Sequence, residues 1–257
     1  MPAGFLYDLA TPSFTSAEAV TPSMPVSNLS DPQPRRRARL TGAAVSIVAD
    51  FGAARSVDCF GLISTTLTTG TTIRARLGTV LDTWTTDTGT LAAEAQEPAQ
   101  GNVILNLGAP VTARYLRFDI ADAPAFTDIG LCIAGALWRV QRGMAYGVRE
   151  GRVILDRRDR NPFTGAEFPV PAIANPRMAA FTLPALSTSE ARNQHRDLVR
   201  LLGAARDGLV IMELNDTLAE RNRRAIWGAI NVPGEDAAAS RDSFPLSSRA
   251  FRVVERL

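Results

Sequence analysis

Arg114-Tyr115-Leu116-Arg117-Phe118-Asp119-Ile120 decides the fold class of this chain. Leu116, Phe118 and Ile120 fall on one side of a period of two, and Arg117 and Asp119 fall on the other. That alternation is the mark of a strand with one face in a core and one in water. Upstream, Thr71-Thr72-Ile73-Arg74-Ala75-Arg76-Leu77 repeats the pattern, with Ile73, Ala75 and Leu77 inward and both arginines outward. Val45, Ile47 and Ala49 alternate in the same way up to Asp50-Phe51-Gly52, which reads as a turn. Val57 to Ile63 is a continuous apolar run suited to a buried strand. Val103 to Leu107 and Ile129 to Val140 complete the series. Residues 82–101 between them are polar and loop-like and carry Trp84. Short strands at close spacing, with no helical period among them, argue for a β-sandwich over residues 43–140.

Outward from that unit the pattern changes on both sides. Residues 1–42 hold Pro2, Pro12, Pro22, Pro25 and Pro32 and sustain no period, so they read as an extended N-terminal segment. Residues 141–176 form a Pro-rich connector or arm. Pro162, Pro169, Pro171 and Pro176 exclude a regular helix or a central strand there. Residues 177–257 read as an α+β module. Strands are expected at 177–183, 209–214, 224–230 and 249–255. One helix is expected at 188–202, with Ser187 as N-cap, Glu190 completing a capping box and Gly203 as the stop. Ala191, His195, Leu198 and Leu202 line its apolar stripe.

Composition narrows the function classes. The chain has 257 residues, 46% hydrophobic and 21% charged, which is enough to bury a core without metals or disulfides. Its 28 basic residues are all arginine, for which GC-rich coding and interface use are compatible explanations. A net charge of +2 gives no field that attracts nucleic acid. The one dense basic run, Arg35-Arg36-Arg37-Ala38-Arg39, has no interleaved aromatics. No leader pattern and no membrane-spanning run is visible, so a soluble protein without membrane insertion is expected. Cys59 and Cys132 sit in apolar runs and read as buried free thiols, with a disulfide between them the open alternative.

No constellation of catalytic residues emerges. There is no phosphate loop, dinucleotide fingerprint, HExxH or nucleophile elbow, and no cofactor or metal is implied. His195, the only histidine, lies in the helix stripe and reads as structural. Asp156 and Asp159 sit among Arg157, Arg158 and Arg160, a pattern of local ion pairing. The chain therefore reads as a binding or structural protein and not an enzyme. Two features are candidates for contact. Trp84, on a sandwich loop, is placed to stack on a sugar or anchor a partner, or to fold back on the sandwich edge. Arg157, Arg158, Arg160, Phe163 and Phe168 form a candidate assembly arm. Its apolar side chains have no local structure to bury them.

Several motifs carry resemblances. Ala49-Asp50-Phe51-Gly52, the Ala113–Ile120 strand and Ile129-Gly130-Leu131 resemble strands of the galactose-binding-like, or discoidin-like, jelly-roll sandwich. Pro25-Val26-Ser27-Asn28-Leu29-Ser30-Asp31-Pro32 is similar to the start of discoidin-like modules in tailed-bacteriophage tail proteins. Asp159 to Gly165 and the strand order that follows, ending in Phe251-Arg252-Val253-Val254-Glu255, resemble the ring-forming distal-tail or tail-tube module of siphophages and gene transfer agents. The resemblance implies a mostly β structural component of a tail tip or baseplate, a ring or collar between tail tube and hub. Its partners would be copies of itself, the tube, the hub and other tail-tip proteins, and its place the virion tail after assembly in the host bacterial cytoplasm. The alternative is a carbohydrate-binding module for host-surface glycans. A hydrolase of a glycan polymer is a third reading, with no carboxylate pair to name.

Overall fold

A computed structural model describes residues 2–17, 20–94, 101–172, 175–203, 205–232 and 246–256. The first eight strands are β1 (Gly4–Leu6), β2 (Ser13–Thr15), β3 (Ala38–Thr41), β4 (Val45–Thr65), β5 (Thr72–Gly78), β6 (Thr86–Ala92), β7 (Gly101–Ala121) and β8 (Phe126–Gly135). Then come β9 (Trp138–Arg139), β10 (Arg149–Arg152), β11 (Arg157–Arg160), β12 (Glu167–Val170) and β13 (Arg177–Ser187). Helix α1 covers 188–202, and β14 (Asp207–Ile211), α2 (Leu218–Arg224), β15 (Ile226–Asn231) and β16 (Leu246–Glu255) end the chain.

β4 makes the sandwich by bending. It does not stop at Asp50-Phe51-Gly52, where the sequence suggests a turn. Gly52 takes a φ of 75°, its N–H donates to the Asp50 carboxylate at 2.8 Å, and pairing with β7 slips between Asp50 and Arg55 before resuming. A bulge of this kind lets one strand serve two layers. The first part of β4 and the last part of β7 pair with each other and with β2 and β5, and β6 extends the layer beyond β5. This is the outer layer. The last part of β4 and the first part of β7 form the middle layer with β8 and β3. Leu116, Phe118, Ile120, Ile73, Ala75 and Leu77 are all fully or almost fully buried between the layers, in one core with Phe60, Leu62, Val103 and Leu105.

The middle layer is covered on its second face as well. Cys59, Ile63, Ile104, Leu131 and Ile133 project away from the sandwich core. They pack with Leu6, Leu209, Ile211, Leu214 and Trp227 of the C-terminal part. That is why Val57 to Ile63 reads as an unbroken apolar run: the strand has no wet face. Each large side chain fully buried there contributes about 1.5–3 kcal/mol. The third layer is a sheet in the order β10-β13-β16-β15-β14-β1-β9. Its far face holds Phe5, Phe181 and Phe251, whose rings lie 5.3–6.0 Å apart, and α1 closes over it with Leu198 and Leu202.

Polar groups pin the seam between middle and third layers. Asn222 of α2, 2% exposed, accepts the Ile104 N–H at 2.7 Å and donates to the Ala93 carbonyl at 2.9 Å. Asp58 accepts from the Leu137 N–H at 2.7 Å and from the Arg139 guanidinium at 2.9 Å.

Several sequence expectations are corrected by this layout. Residues 1–42 are not an extended segment, because β1 lies inside the third sheet and β2 and β3 edge the sandwich layers. The polar stretch after residue 82 contains β6, whose alternation is masked by threonines. The segment 141–176 gives β10 to the third sheet, and β11 and β12 pair as a hairpin. Asn161 closes that hairpin by accepting the Phe163 and Thr164 N–H groups, with Gly165 at a φ of 72°. Helix α2 was not expected. It is short and starts at Thr217, whose side chain accepts from the Glu220 N–H. At 188–202 the Ser187–Glu190 capping box forms, and a π turn over Ala191–His195 interrupts the helix.

Candidate functional site

The outward face of the outer layer carries the polar half of the sequence alternation. Arg74 and Arg76 of β5 and Arg117 and Asp119 of β7 stand side by side on it, since β5 pairs Arg74 with Asp119 and Arg76 with Arg117. Arg117 donates to Asp119 at 2.7 Å, and Arg76 reaches the same carboxylate. Arg74 donates to Asp87 of β6 through Nε at 2.9 Å. Asp82 lies 3.8 Å from Arg117. With Ser46, Thr72 and Thr90, the side chains of Arg74, Arg76, Arg117 and Asp119 line a shallow groove of about 380 Å³.

Trp84 is set beside this groove by the turn before it. Gly78 ends β5 so close to the returning chain that a Cβ there would meet the Thr83 carbonyl oxygen at 2.0 Å. The Thr85 N–H then donates to Leu77 at 2.9 Å. The half-buried indole ring is left over the Arg76 guanidinium, 5.5 Å from its carbon. Trp84 is therefore folded back against the outward face of the sandwich.

The electrostatics suit binding and not acid–base chemistry. Arg74 holds the Asp87 carboxyl down to about 2, helped by the Gly89 N–H, so it stays ionised. Asp119 is shared by two guanidiniums. Each groove arginine has a carboxylate partner, Asp87 for Arg74 and Asp119 for both Arg76 and Arg117, so donors and acceptors are dense there. No set of three His, Cys, Asp or Glu side chains is placed to hold a metal ion among the described residues.

The other sequence candidates lie elsewhere. Arg157 pairs with Asp159 at 3.3 Å and Arg158 with Glu167 at 3.5 Å, both across or along the exposed hairpin. The Arg160 guanidinium lies beside Gly165 of the turn. Phe163 at the tip is 95% exposed and Phe168 is 56% exposed. Trp84 and the hairpin residues sit on different elements and form no common site. Within the basic run, Arg39 makes a two-pronged pair with Asp128 at 2.6 and 2.7 Å, and Arg36 pairs with Asp31 at 3.0 Å. His195 packs edge-on against Phe251 with ring centroids 5.8 Å apart, and Cys59 and Cys132 are buried free thiols. Sequence reasoning placed Arg74, Arg76, Arg117 and Asp119 on outward faces without seeing that adjacent strands bring them together. Gly78, which seats Trp84, gave no local signal.

No family model matches the chain, and no curated protein matches it. Solved structures do. One is CBM32-1 from a family 31 glycoside hydrolase of Clostridium perfringens, at 12% identity and a TM-score of 0.41, covering 51% of this chain and 99% of that one. Another is the Clostridium perfringens module CpGH89CBM32-5 in complex with GalNAc-β-1,3-galactose, at 8% identity and a TM-score of 0.43, covering 50% and 100%. A third is the CBM32 of AlyQ in complex with 4,5-unsaturated mannuronic acid, at 20% identity and a TM-score of 0.39, covering 50% and 96%. Each of these matches falls on about half of this chain. The expectation of a tail-tip or baseplate ring protein is corrected by the same comparison. The solved structures it matches include carbohydrate-binding modules and lectin domains, so a place in a phage tail does not stand.

Proposed function

We propose that this chain is a carbohydrate-binding protein that recognises an uncharged cell-surface glycan through the outer face of its sandwich. The observation that carries this reading is the Trp84 ring fixed over Arg76 beside a groove of paired arginines and aspartates. A sugar ring offers an apolar C–H face and a rim of hydroxyls. An aromatic plane takes the first. Guanidiniums and carboxylates, with donors and acceptors at fixed spacing, take the second. Arginines already paired with Asp87 and Asp119 favour a neutral glycan over an acidic one.

A shallow groove with one aromatic gives weak binding per site, so useful retention comes from repeated epitopes on one surface. The test is a glycan array probed with the full chain and with Asp119→Asn. The wild-type protein is expected to bind a restricted set of neutral glycans and the variant to lose them. Arrays that stay blank for both proteins, or signals unchanged in Asp119→Asn, would reject the reading.

A further inference from the structure

The hairpin of β11 and β12 stands apart from the hydrophobic cores and leaves one strand edge open. Residues 154–160 are exposed throughout, and among the described residues β11 pairs with β12 alone. Three donors mark its inner edge. The Val153 N–H reaches the Pro176 carbonyl, the Leu155 N–H the Asn175 side chain and the Asn161 N–H the Ala166 carbonyl, each at 2.8 Å. Backbone groups alternate in direction along an antiparallel strand. Asp156, Arg158 and Arg160 therefore turn their N–H and C=O groups outward. An edge of this kind is a template for another strand. The far edge of the hairpin is closed, because Pro169, opposite Arg158, and Pro171 have no N–H to offer there.

Charge decides which strand fits. The open edge reads Asp156-Arg157-Arg158-Asp159-Arg160. Laid antiparallel on a second copy of itself, with Arg158 opposite Arg158, it sets Asp156 opposite Arg160 and Arg157 opposite Asp159, each twice by symmetry. Opposite charges directly across a ladder attract and like charges repel. The central arginines are the one like pair, and each has its own Glu167 carboxylate at 3.5 Å. The same register meets outward backbone groups with outward backbone groups. A slip of one residue would set outward groups against inward ones. A slip of two would oppose Asp159 to Asp159 or Arg157 to Arg157. The register also carries the exposed Phe163 tip of each copy to the exposed Ile154 and Leu155 of the other.

We infer that β11 is a dimerisation strand, along which two copies of this chain join antiparallel about a two-fold axis into one four-stranded ribbon. The contact uses every outward backbone group of the edge and covers apolar side chains that the isolated chain leaves in water. It is short, so the dimer is weak and depends on concentration. The inference stands apart from glycan binding, because no residue of the groove lies on the hairpin.

The test is sedimentation equilibrium of the full chain over a range of concentrations, up to millimolar. The wild-type protein is expected to move from monomer to dimer and to stop there. Arg157→Asp sets two carboxylates against each other at both symmetric positions, and Asp159→Arg sets two guanidiniums against each other. Each single variant is expected to dimerise about tenfold more weakly or worse, with the melting curve unchanged. An equimolar mixture of the two is expected to form a heterodimer, and the double exchange Arg157→Asp/Asp159→Arg is expected to dimerise like wild type. That rescue is an effect that a misfolded hairpin or an interface elsewhere on the molecule would not give. A wild-type chain that stays monomeric, single variants that dimerise like wild type, or a mixture and a double exchange that both remain monomeric would overturn the inference.

Discussion

Asn222 shows how much one side chain decides at the residue scale. Its amide satisfies the Ile104 N–H and the Ala93 carbonyl inside the seam, where neither has access to water. Asn222→Ala strands both groups, and each costs about 1–3 kcal/mol when left unpaired. Denaturant unfolding should show a loss of about 2–6 kcal/mol with the fold retained. A variant as stable as wild type would mean that the seam tolerates the gap. The groove makes a prediction about pH at the same scale. The Asp87 pKa is lowered from 3.8 to about 2, chiefly by the Arg74 hydrogen bond. A lowered carboxylate pKa keeps the pair intact above the unfolded value, and the pair weakens only as pH falls through the folded one. His195, the only histidine, lies away from the groove. Glycan affinity measured between pH 5 and 8 should therefore be flat, and a midpoint near pH 6 or 7 would point to a different site.

Elements differ in how plainly they were written. The Arg114–Ile120 alternation fixed both the strand and its inward face, because a period of two has only one register with a core. The α1 start was legible because a capping box is a local pattern of a few residues. Pairing across distance was not. β1 and β9 are very short and are held by the third sheet, with Val140 docked on the Ala3 carbonyl, so no local pattern marks them. The bend in β4 looked like a turn because Asp-Phe-Gly serves both, and only β7 running on beside it shows the strand continuing. The hairpin of β11 and β12 belongs to this scale too. Its strands pair only with each other, and Ile154, Leu155, Phe163 and Phe168 are exposed on or beside it. An isolated two-stranded ribbon adds little stability. Replacing 157–170 with a short Gly/Ser linker should leave the melting temperature within about 2 °C of wild type. A larger drop would show that the hairpin supports the sheets.

Seen whole, the molecule is a stack of outer, middle and third sheets with α1 as the last cover, and the middle sheet belongs to two cores at once. The expected boundaries at 43 and 140 therefore cut through shared structure. Excised residues 43–140 would expose Cys59, Ile63, Ile104, Leu131 and Ile133 and lose β2, β3 and the Asn222 contacts. That fragment should aggregate or bind hydrophobic dyes, and a monomeric, cooperatively folding 43–140 would contradict the shared core. The functional groove was half legible for a related reason. Its residue types and outward faces were readable strand by strand, but their adjacency comes from pairing β5 between β6 and β7. The most direct test of that groove is calorimetric titration of one neutral array-selected oligosaccharide into wild-type protein and Trp84→Ala. Loss of one stacked aromatic is worth about 0.5–1.5 kcal/mol, so affinity should fall roughly two- to twelvefold with the melting curve unchanged. Equal affinity in the two proteins would place the sugar elsewhere and contradict the account.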